Sequence, residues 1–250
     1  MRALLLAAGL GTRLRPLTNE VPKCLVPIVG RPLLDYWLEL LSDAGVRDVL
    51  INLHHLPGPV VRHLANSTFP LNVETVYEEE LLGTGGTLLK NERFFAGGPV
   101  MVIHADNLSL FDIGAFIRTF EERRKGIDMT MMTFRTDAPQ SCGIVEIDAE
   151  GTVAGFHEKI ASPPGNLANG AVYIVAPPVF EEMRRLDKSV VDFSTEVIPR
   201  LLGRINVFEN DVYHRDIGTT ESLRLAQTEY AAVTAARSQV TRRPGSGGAP

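Results

Sequence analysis

Residues 9–23 read Gly-Leu-Gly-Thr-Arg-Leu-Arg-Pro-Leu-Thr-Asn-Glu-Val-Pro-Lys. An apolar run at 3–8 leads into them and reads as a buried strand. Gly9 and Gly11 free the backbone to wrap closely round a ligand, with amide groups turned toward it. Arg13, Arg15 and Lys23 follow, and only Glu20 opposes them. A glycine turn with converging cations suits a polyphosphate.

Two commoner glycine loops fail here. A P-loop needs Gly-Lys-Ser or Gly-Lys-Thr after its second glycine, and Gly11 runs into Thr12 and Arg13. A dinucleotide fingerprint needs a third glycine where Leu14 stands. It also needs an acid near the end of the second strand, which runs instead into Asn52, Leu53, His54 and His55.

Outward from the loop, strand and helix alternate. Residues 31–44 predict a helix, with Pro32 in its first turn, Leu34, Trp37, Leu38 and Leu41 on one face, and Gly45 ending it. Strands are expected at 49–53, 71–76, 100–104 and 129–134, and helices at 59–65, 83–91 and around Ile113, Phe116, Ile117 and Phe120. This alternation implies a parallel sheet with right-handed crossovers. The pattern then changes. Residues 143–147 and 152–157 flank a hairpin signal at 148–151, and 170–175 is a further strand. Short helices at 179–185 and 194–202, short strands at 205–208 and 212–214, and a last helix from Thr220 to about Ala235 complete the pattern. The chain therefore reads as one domain over 1–235. Its parts are a first half that carries the glycine loop (about 1–135), an inserted lobe (about 136–212) and a return segment (213–235), before a tail at 236–250 expected to be disordered, Gly, Pro and Ser being frequent from 242 on.

Composition narrows the class. A net charge of −5 argues against non-specific nucleic-acid binding, so an anionic substrate has to meet a local positive site in an acidic protein. Cys24 and Cys142 are too few for a disulfide framework and read as reduced thiols of a cytoplasmic protein. No apolar stretch approaches the roughly 20 residues of a membrane span, and Arg13 and Arg15 cut the first apolar run too short for a secretory signal. The paired His54 and His55 point to opposite faces of an extended segment and do not suit one ion. Met129, Met131 and Met132 read as core filling.

Gly9, Gly11, Thr12, Arg13, Leu14, Pro16, Leu17, Thr18, Pro22 and Lys23 match without a gap the opening motif of the sugar-1-phosphate nucleotidyltransferases, and the resemblance covers nearly the whole folded chain. It implies an α/β fold of three layers, Rossmann-like, with a mixed, mostly parallel central sheet and an inserted sugar-binding lobe. It also implies transfer of a nucleotidyl group from a nucleoside triphosphate to a sugar 1-phosphate, with Mg²⁺ as cofactor. A sugar 1-phosphate, with a second pKa near ~6, is already mostly a dianion at neutral pH. The obstacle is repulsion between phosphates, so cations and a metal matter more than a general base.

The resemblance assigns catalysis to Arg13, Lys23 and Asp106. It assigns nucleotide binding to Leu6, Ala8, Gly9, Gly11, Thr12, Arg13, Glu78, Gly83, Thr84 and Gly85, and a metal pair to Asp106 and Asp216. Asp106 follows a buried strand, where open α/β sheets bind ligands; a turn or capping aspartate is the bland alternative. Relatives usually have Gly-Asp there, whereas this chain has His104-Ala105-Asp106-Asn107. His104 falls on the same face of an extended segment as Asp106, either as a partner behind it or as a packed core histidine. Asp216 opens Asp-Ile-Gly-Thr, usually preceded two positions earlier by Trp, where this chain has His214. The stretch from Leu82 to Gly86 resembles the base-recognition loop, in a form that leans toward GTP. Gly143, Glu158, Lys159 and Asn169 resemble the sugar site, with Cys142 in place of a usual Tyr. Arg15 is a solvated surface cation on the simplest view.

Within the family, the length and the His-Ala-Asp-Asn stretch most resemble the D-glycero-α-D-manno-heptose 1-phosphate guanylyltransferases. Mannose-1-phosphate guanylyl transfer and uridylyl transfer to an amino sugar are the alternatives. Some relatives continue into a β-helix with acyltransferase activity, which is not expected here. A non-catalytic regulatory subunit is expected to have lost one of Lys23, Asp106 or Asp216, and all three remain. A glycosyltransferase is expected to carry Asp-x-Asp, which is missing near the fourth strand. Expected partners are small molecules, with neither nucleic acid nor membrane; the oligomeric state stays open, a homodimer being one option.

Overall fold

Residues 1–241 are described in the computed structural model of the protein. The chain opens with β1 (Arg2–Leu6), a small ladder of β2 (Pro27–Ile28) with β3 (Arg31–Pro32), and helix α1 (Leu33–Asp43). Next come β4 (Asp48–Leu53), α2 (Pro57–Ala65), β5 (Asn72–Tyr77), α3 (Gly83–Lys90), β6 (Val100–His104), β7 (Asn107–Leu110), α4 (Ile113–Glu121) and β8 (Met129–Arg135). The hairpin β9 (Gly143–Ile147) and β10 (Val153–Glu158) precedes β11 (Leu167–Val175), α5 (Pro178–Arg184), β12 (Ile205–Glu209), β13 (Tyr213–Asp216) and α6 (Thr220–Thr241).

One sheet of nine strands carries the molecule, in the order β10-β9-β11-β6-β1-β4-β5, with β8 on the other edge of β11 and β12 beside β8. β6, β1, β4 and β5 run parallel, as helix-separated strands should. β11 runs antiparallel to both β6 and β8 and separates them. β8 therefore runs in the direction of β6 but is not its neighbour, and the sheet is mixed and mostly parallel, as expected. β11 also reaches past β6. Its residues Val172 to Val175 pair with β6, while Ala168 pairs with Ile144 of β9. A bulge divides the two stretches, with Ala171 at φ 53. The β9–β10 hairpin thus extends the main sheet beyond the C-terminal end of β6.

The sheet is covered on both faces. Ala3 and Leu5 pack with Leu34, Trp37, Leu38 and Leu41 of α1 and with Phe116 and Phe120 of α4. Leu4 packs with Leu88 of α3 and with Val179, Phe180 and Met183 of α5. A strand buried on both faces reads as a continuous apolar run, which is why β1 was legible. Truncating Leu4 or Leu5 to Ala is expected to cost about 2–5 kcal/mol. The other side of α1 buries Leu33 and Tyr36 against Ala226 and Tyr230 of α6. Met129, Met131 and Met132 are all buried in the core.

Three helix expectations are corrected. Pro32 caps α1 from outside rather than lying in its first turn. Residues 194–202 form no α-helix: a π-helical turn, Phe193–Val197, hands over to a 3₁₀ turn, Ile198–Leu201. Pro199 lacks the N–H an α-helix would use and clashes with the preceding turn. α6 runs past Ala235 to Thr241, so the tail expected from 236 begins inside a helix, and residues 242–250 lie outside the described residues.

Candidate active site

The loop after β1 is built by three short 3₁₀ turns, Thr12–Leu14, Leu17–Asn19 and Lys23–Leu25, because Pro16 and Pro22 forbid a continuous helix. Gly11 takes φ +61, and a Cβ there would stand 2.9 Å from Thr18 Cγ2. Thr18 Oγ1 donates to the Gly11 carbonyl at 2.7 Å, folding the loop back on itself. Leu14 is fully buried and anchors the turn, while Arg13 and Arg15 stay exposed.

The fold-back delivers Lys23, 7% exposed, to two carboxylates. Its Nζ lies 2.6 Å from Asp106 Oδ2 and 3.6 Å from Asp216 Oδ1, and Arg13 Nη2 closes the group 4.0 Å from Asp216 Oδ2. A ladder absent from the sequence reading makes this convergence. β7 and β13 pair antiparallel with Asp216 opposite Asn107, and the Ile217 N–H donates to the Asp106 carbonyl at 3.0 Å. Gly218 leaves the room: a Cβ there would lie 2.6 Å from Asp216 Oδ2 and 2.9 Å from Arg13 Nη2. Burial pulls the Asp106 carboxyl upward, but the Lys23 charge and hydrogen bond, with His104 and a backbone hydrogen bond, together hold Asp106 below the ordinary carboxylate range. Burial holds Asp216 above that range despite the opposing pull of Lys23 and Arg13. No cluster of three or more His, Cys, Asp or Glu ligands occurs among the described residues. Two hard carboxylates beside open space nevertheless fit magnesium, which binds through one or two carboxylates and completes its shell with water and phosphate oxygens.

Beside this group lies a cleft of about 220 Å³, walled by Leu6, Ala8, Gly9, Lys23, Glu78, Gly83, Thr84, His104 and Asp106 among others. Its far wall is a buried polar chain. The Ala7 N–H donates to Asn52 Oδ1 at 2.8 Å, and Asn52 Nδ2 donates to Thr87 Oγ1 at 3.4 Å. Thr87 Oγ1 in turn donates to Glu78 Oε1 at 2.6 Å. Glu78 is 2% exposed, yet its Oε2 has no partner among the described residues. The Nε2 atom of His104 is also buried without a partner. Burial lowers the His104 pKa and keeps the ring neutral, and it pushes the Cys24 thiol up to about 12.

One reading changes here. The glycines of the loop entering α3 were expected to let backbone groups reach a base. Instead the Gly85 and Gly86 N–H groups both donate to the Val191 carbonyl. Cβ atoms at Gly83 and Gly86 would stand 2.5 Å from the Val191 and Ser189 carbonyl oxygens. These glycines admit a neighbouring backbone, so Gly85 is buried beneath it while Gly83 and Thr84 still face the cleft. The Thr84 hydroxyl accepts from the Phe193 N–H at 2.8 Å. His54 and His55 bond separately, to the carbonyls of Glu78 and Thr18.

Gly143, Glu158 and Lys159 gather on the hairpin. Gly143 sits opposite Glu158, whose Oε2 a Cβ would approach to 2.6 Å, and Lys159 Nζ lies 3.0 Å from Glu158 Oε1. Asn169 acts on the bulge of β11: its Oδ1 accepts from the Ala171 N–H and its Nδ2 donates to the Tyr173 hydroxyl at 2.7 Å. The edge of Tyr173 meets His104, with ring centroids 6.4 Å apart. Sequence reasoning missed Asn52, Thr87, Val191 and the role of Gly218. Asn52 did carry a signal, as a polar residue directly after the apolar run Val49, Leu50 and Ile51.

Residues 2–233 match the Nucleotidyl transferase family. The chain is 31% identical over 224 residues to mannose-1-phosphate guanylyltransferase of Mycobacterium tuberculosis, covering 88% of this chain and 61% of that one. It is 32% identical over 190 residues to glucose-1-phosphate thymidylyltransferase of Streptomyces antibioticus, covering 76% and 53%. The crystal structure of HddC from Yersinia pseudotuberculosis complexed with GMP-PN matches with a TM-score of 0.76 and 26% identity, over 92% of this chain and 99% of that one. The chain spans 53% and 61% of the lengths of the two curated relatives. No described helix is long and apolar enough to cross a membrane.

Proposed function

The chain belongs to the nucleotidyl transferase family, and we propose that it transfers a nucleotidyl group, guanylyl by preference, from a nucleoside triphosphate to a sugar 1-phosphate. The observation that carries this reading is the buried Lys23 ammonium between Asp106 and Asp216, lining the same cleft as Glu78 and Gly9. An oxygen of the sugar phosphate attacks the α-phosphorus; the new P–O bond forms as the bond to pyrophosphate breaks. Lys23, already positioned, stabilises charge on the oxygens around that phosphorus. Arg13, at the exposed lip, meets the outer phosphates. Asp106 and Asp216 would hold Mg²⁺, which supplies charge neutralisation between the two anionic substrates. Cytoplasmic placement belongs to the same reading, since nucleoside triphosphates are made there.

Glu78 supports guanine. Its free, buried Oε2 needs an N–H donor. The guanine edge offers N1–H and the N2 amino group side by side, matching a carboxylate. Uracil and thymine offer one N–H between two carbonyls, which a carboxylate repels. HddC, complexed with GMP-PN, agrees with this, and the thymidylyl relative is the competing case. For the acceptor we favour a heptose 1-phosphate, from the His104 to Asn107 stretch, with mannose 1-phosphate second. A pyrophosphate-release screen of four nucleoside triphosphates against a panel of sugar 1-phosphates tests all three parts. GTP with the heptose phosphate should release fastest. Faster release with UTP or dTTP would reject the base assignment, and no release with any pair would reject the activity.

A further inference from the structure

We propose that His104 reads a hydroxyl group of the acceptor sugar and so sets which sugar 1-phosphate is used; this rests on the activity proposed above. His104 ends β6, paired in register with Leu6 on β1, and its side chain lines the cleft next to Lys23 and Asp106. Its Nε2 is shut off from solvent by the protein and has no hydrogen-bond partner among the described residues. Imidazole carries a donor on one nitrogen and an acceptor on the other, so a buried ring nitrogen left unpaired is unusual.

Strand order indicates which substrate faces it. Adjacent strands stand about 4.8 Å apart, so the sheet serves as a ruler along the cleft. Glu78, beside the proposed base, follows β5 at one edge; the cationic loop follows β1; β6 comes next, and β11 with Asn169 and Tyr173 lies beyond it. A nucleotide with its base at Glu78 and its phosphates at the β1 loop leaves the β6–β11 side for the acceptor. The β9–β10 hairpin, with Glu158 and Lys159, stands over that same end. Tyr173, the nearest aromatic ring to His104, already has its hydroxyl engaged by Asn169. His104 is therefore left to meet the incoming molecule. A phosphate presents acceptors only, whereas a sugar hydroxyl both donates and accepts and matches either ring nitrogen.

The test pairs protein and substrate changes. Wild type, His104→Leu and His104→Gln are assayed for pyrophosphate release with the best sugar 1-phosphate and with its mono-deoxy analogues, each lacking a different hydroxyl. One analogue should lose roughly 10-fold in kcat/KM with wild type, the scale of one hydrogen bond, and lose nothing further with His104→Leu. His104→Gln should recover part of that discrimination, and the KM for GTP should stay within about two-fold in both variants. A full deoxy penalty retained by His104→Leu, or loss confined to the KM for GTP, would overturn the inference while leaving the activity standing. A wild type that turns over no sugar 1-phosphate would overturn both. Circular dichroism and unfolding midpoints separate a misfolded variant, in which case His104→Gln alone decides.

Discussion

Lys23 Nζ lies 2.6 Å from Asp106 Oδ2 and 3.6 Å from Asp216 Oδ1, so one buried ammonium joins carboxylates that are far apart in the sequence. The joint explains why both ends of the chain are needed for one site. Asp106 comes straight off β6, while Asp216 arrives on β13 and is held by the short ladder to β7.

Lys23→Ala should lower kcat by roughly 100-fold or more, because a positioned charge acts mainly in the transition state. The KM for the nucleotide should change much less. Steady-state kinetics with each substrate varied decide it; a rise in KM with kcat unchanged would reduce Lys23 to a binding residue.

Gly218→Ala places a methyl group 2.6 Å from Asp216 Oδ2 and 2.9 Å from Arg13 Nη2. Both neighbours are ends of movable side chains, so the fold should persist while the carboxylate swings away. Turnover should drop roughly 10-fold or more, since an ångström of misplacement is costly at a reacting centre, with the unfolding midpoint nearly unchanged.

Gly86→Ala meets a harder obstacle, the Ser189 carbonyl oxygen at 2.5 Å. Backbone has to move, and a destabilisation of about 1–3 kcal/mol is expected by urea unfolding. Gly98→Ala, whose Cβ would find its nearest neighbour at 3.7 Å, is the control and should cost far less.

His214 yields a pH prediction. Its half-buried ring lies tilted against Phe134, its Nδ1 bonds Ser109 Oγ, and burial pushes its pKa down to about 3. The folded pKa lies below the unfolded one, so the folded state binds fewer protons. Its contribution is complete above the unfolded value near ~6.5 and is lost as pH falls toward the folded value, by at most about 1.4 kcal/mol per pH unit. His214→Phe should flatten the acid-side slope of unfolding free energy against pH; an identical slope would reject the assignment.

Much of the fold was legible because its signals are local. The apolar run of β1, the amphipathic face of α1 and the glycines and cations of residues 9–23 each lie within a few positions of one another. Pairings between distant segments were not. β11 read as a strand, but its antiparallel place between β6 and β8 depends on partners far away in sequence. β7 starts just after Asp106, too close to β6 to stand out as a strand of its own, yet it positions Asp216. The need for Gly83, Gly85 and Gly86 was visible; that the crowding neighbours are Val191 and Ser189, rather than a ligand, was not. Glu78 gained its meaning only when Thr87 was seen to occupy one carboxylate oxygen and leave the other free.

Pyrophosphate release measured over a magnesium titration, with wild type, Asp106→Asn and Asp216→Asn side by side, tests the charge cluster most directly. Wild type should turn over in proportion to bound magnesium. Each amide variant should remain folded, lose magnesium-dependent turnover by roughly 100-fold or more, and need far more metal for what remains. Either variant matching wild type at every magnesium concentration would contradict the account.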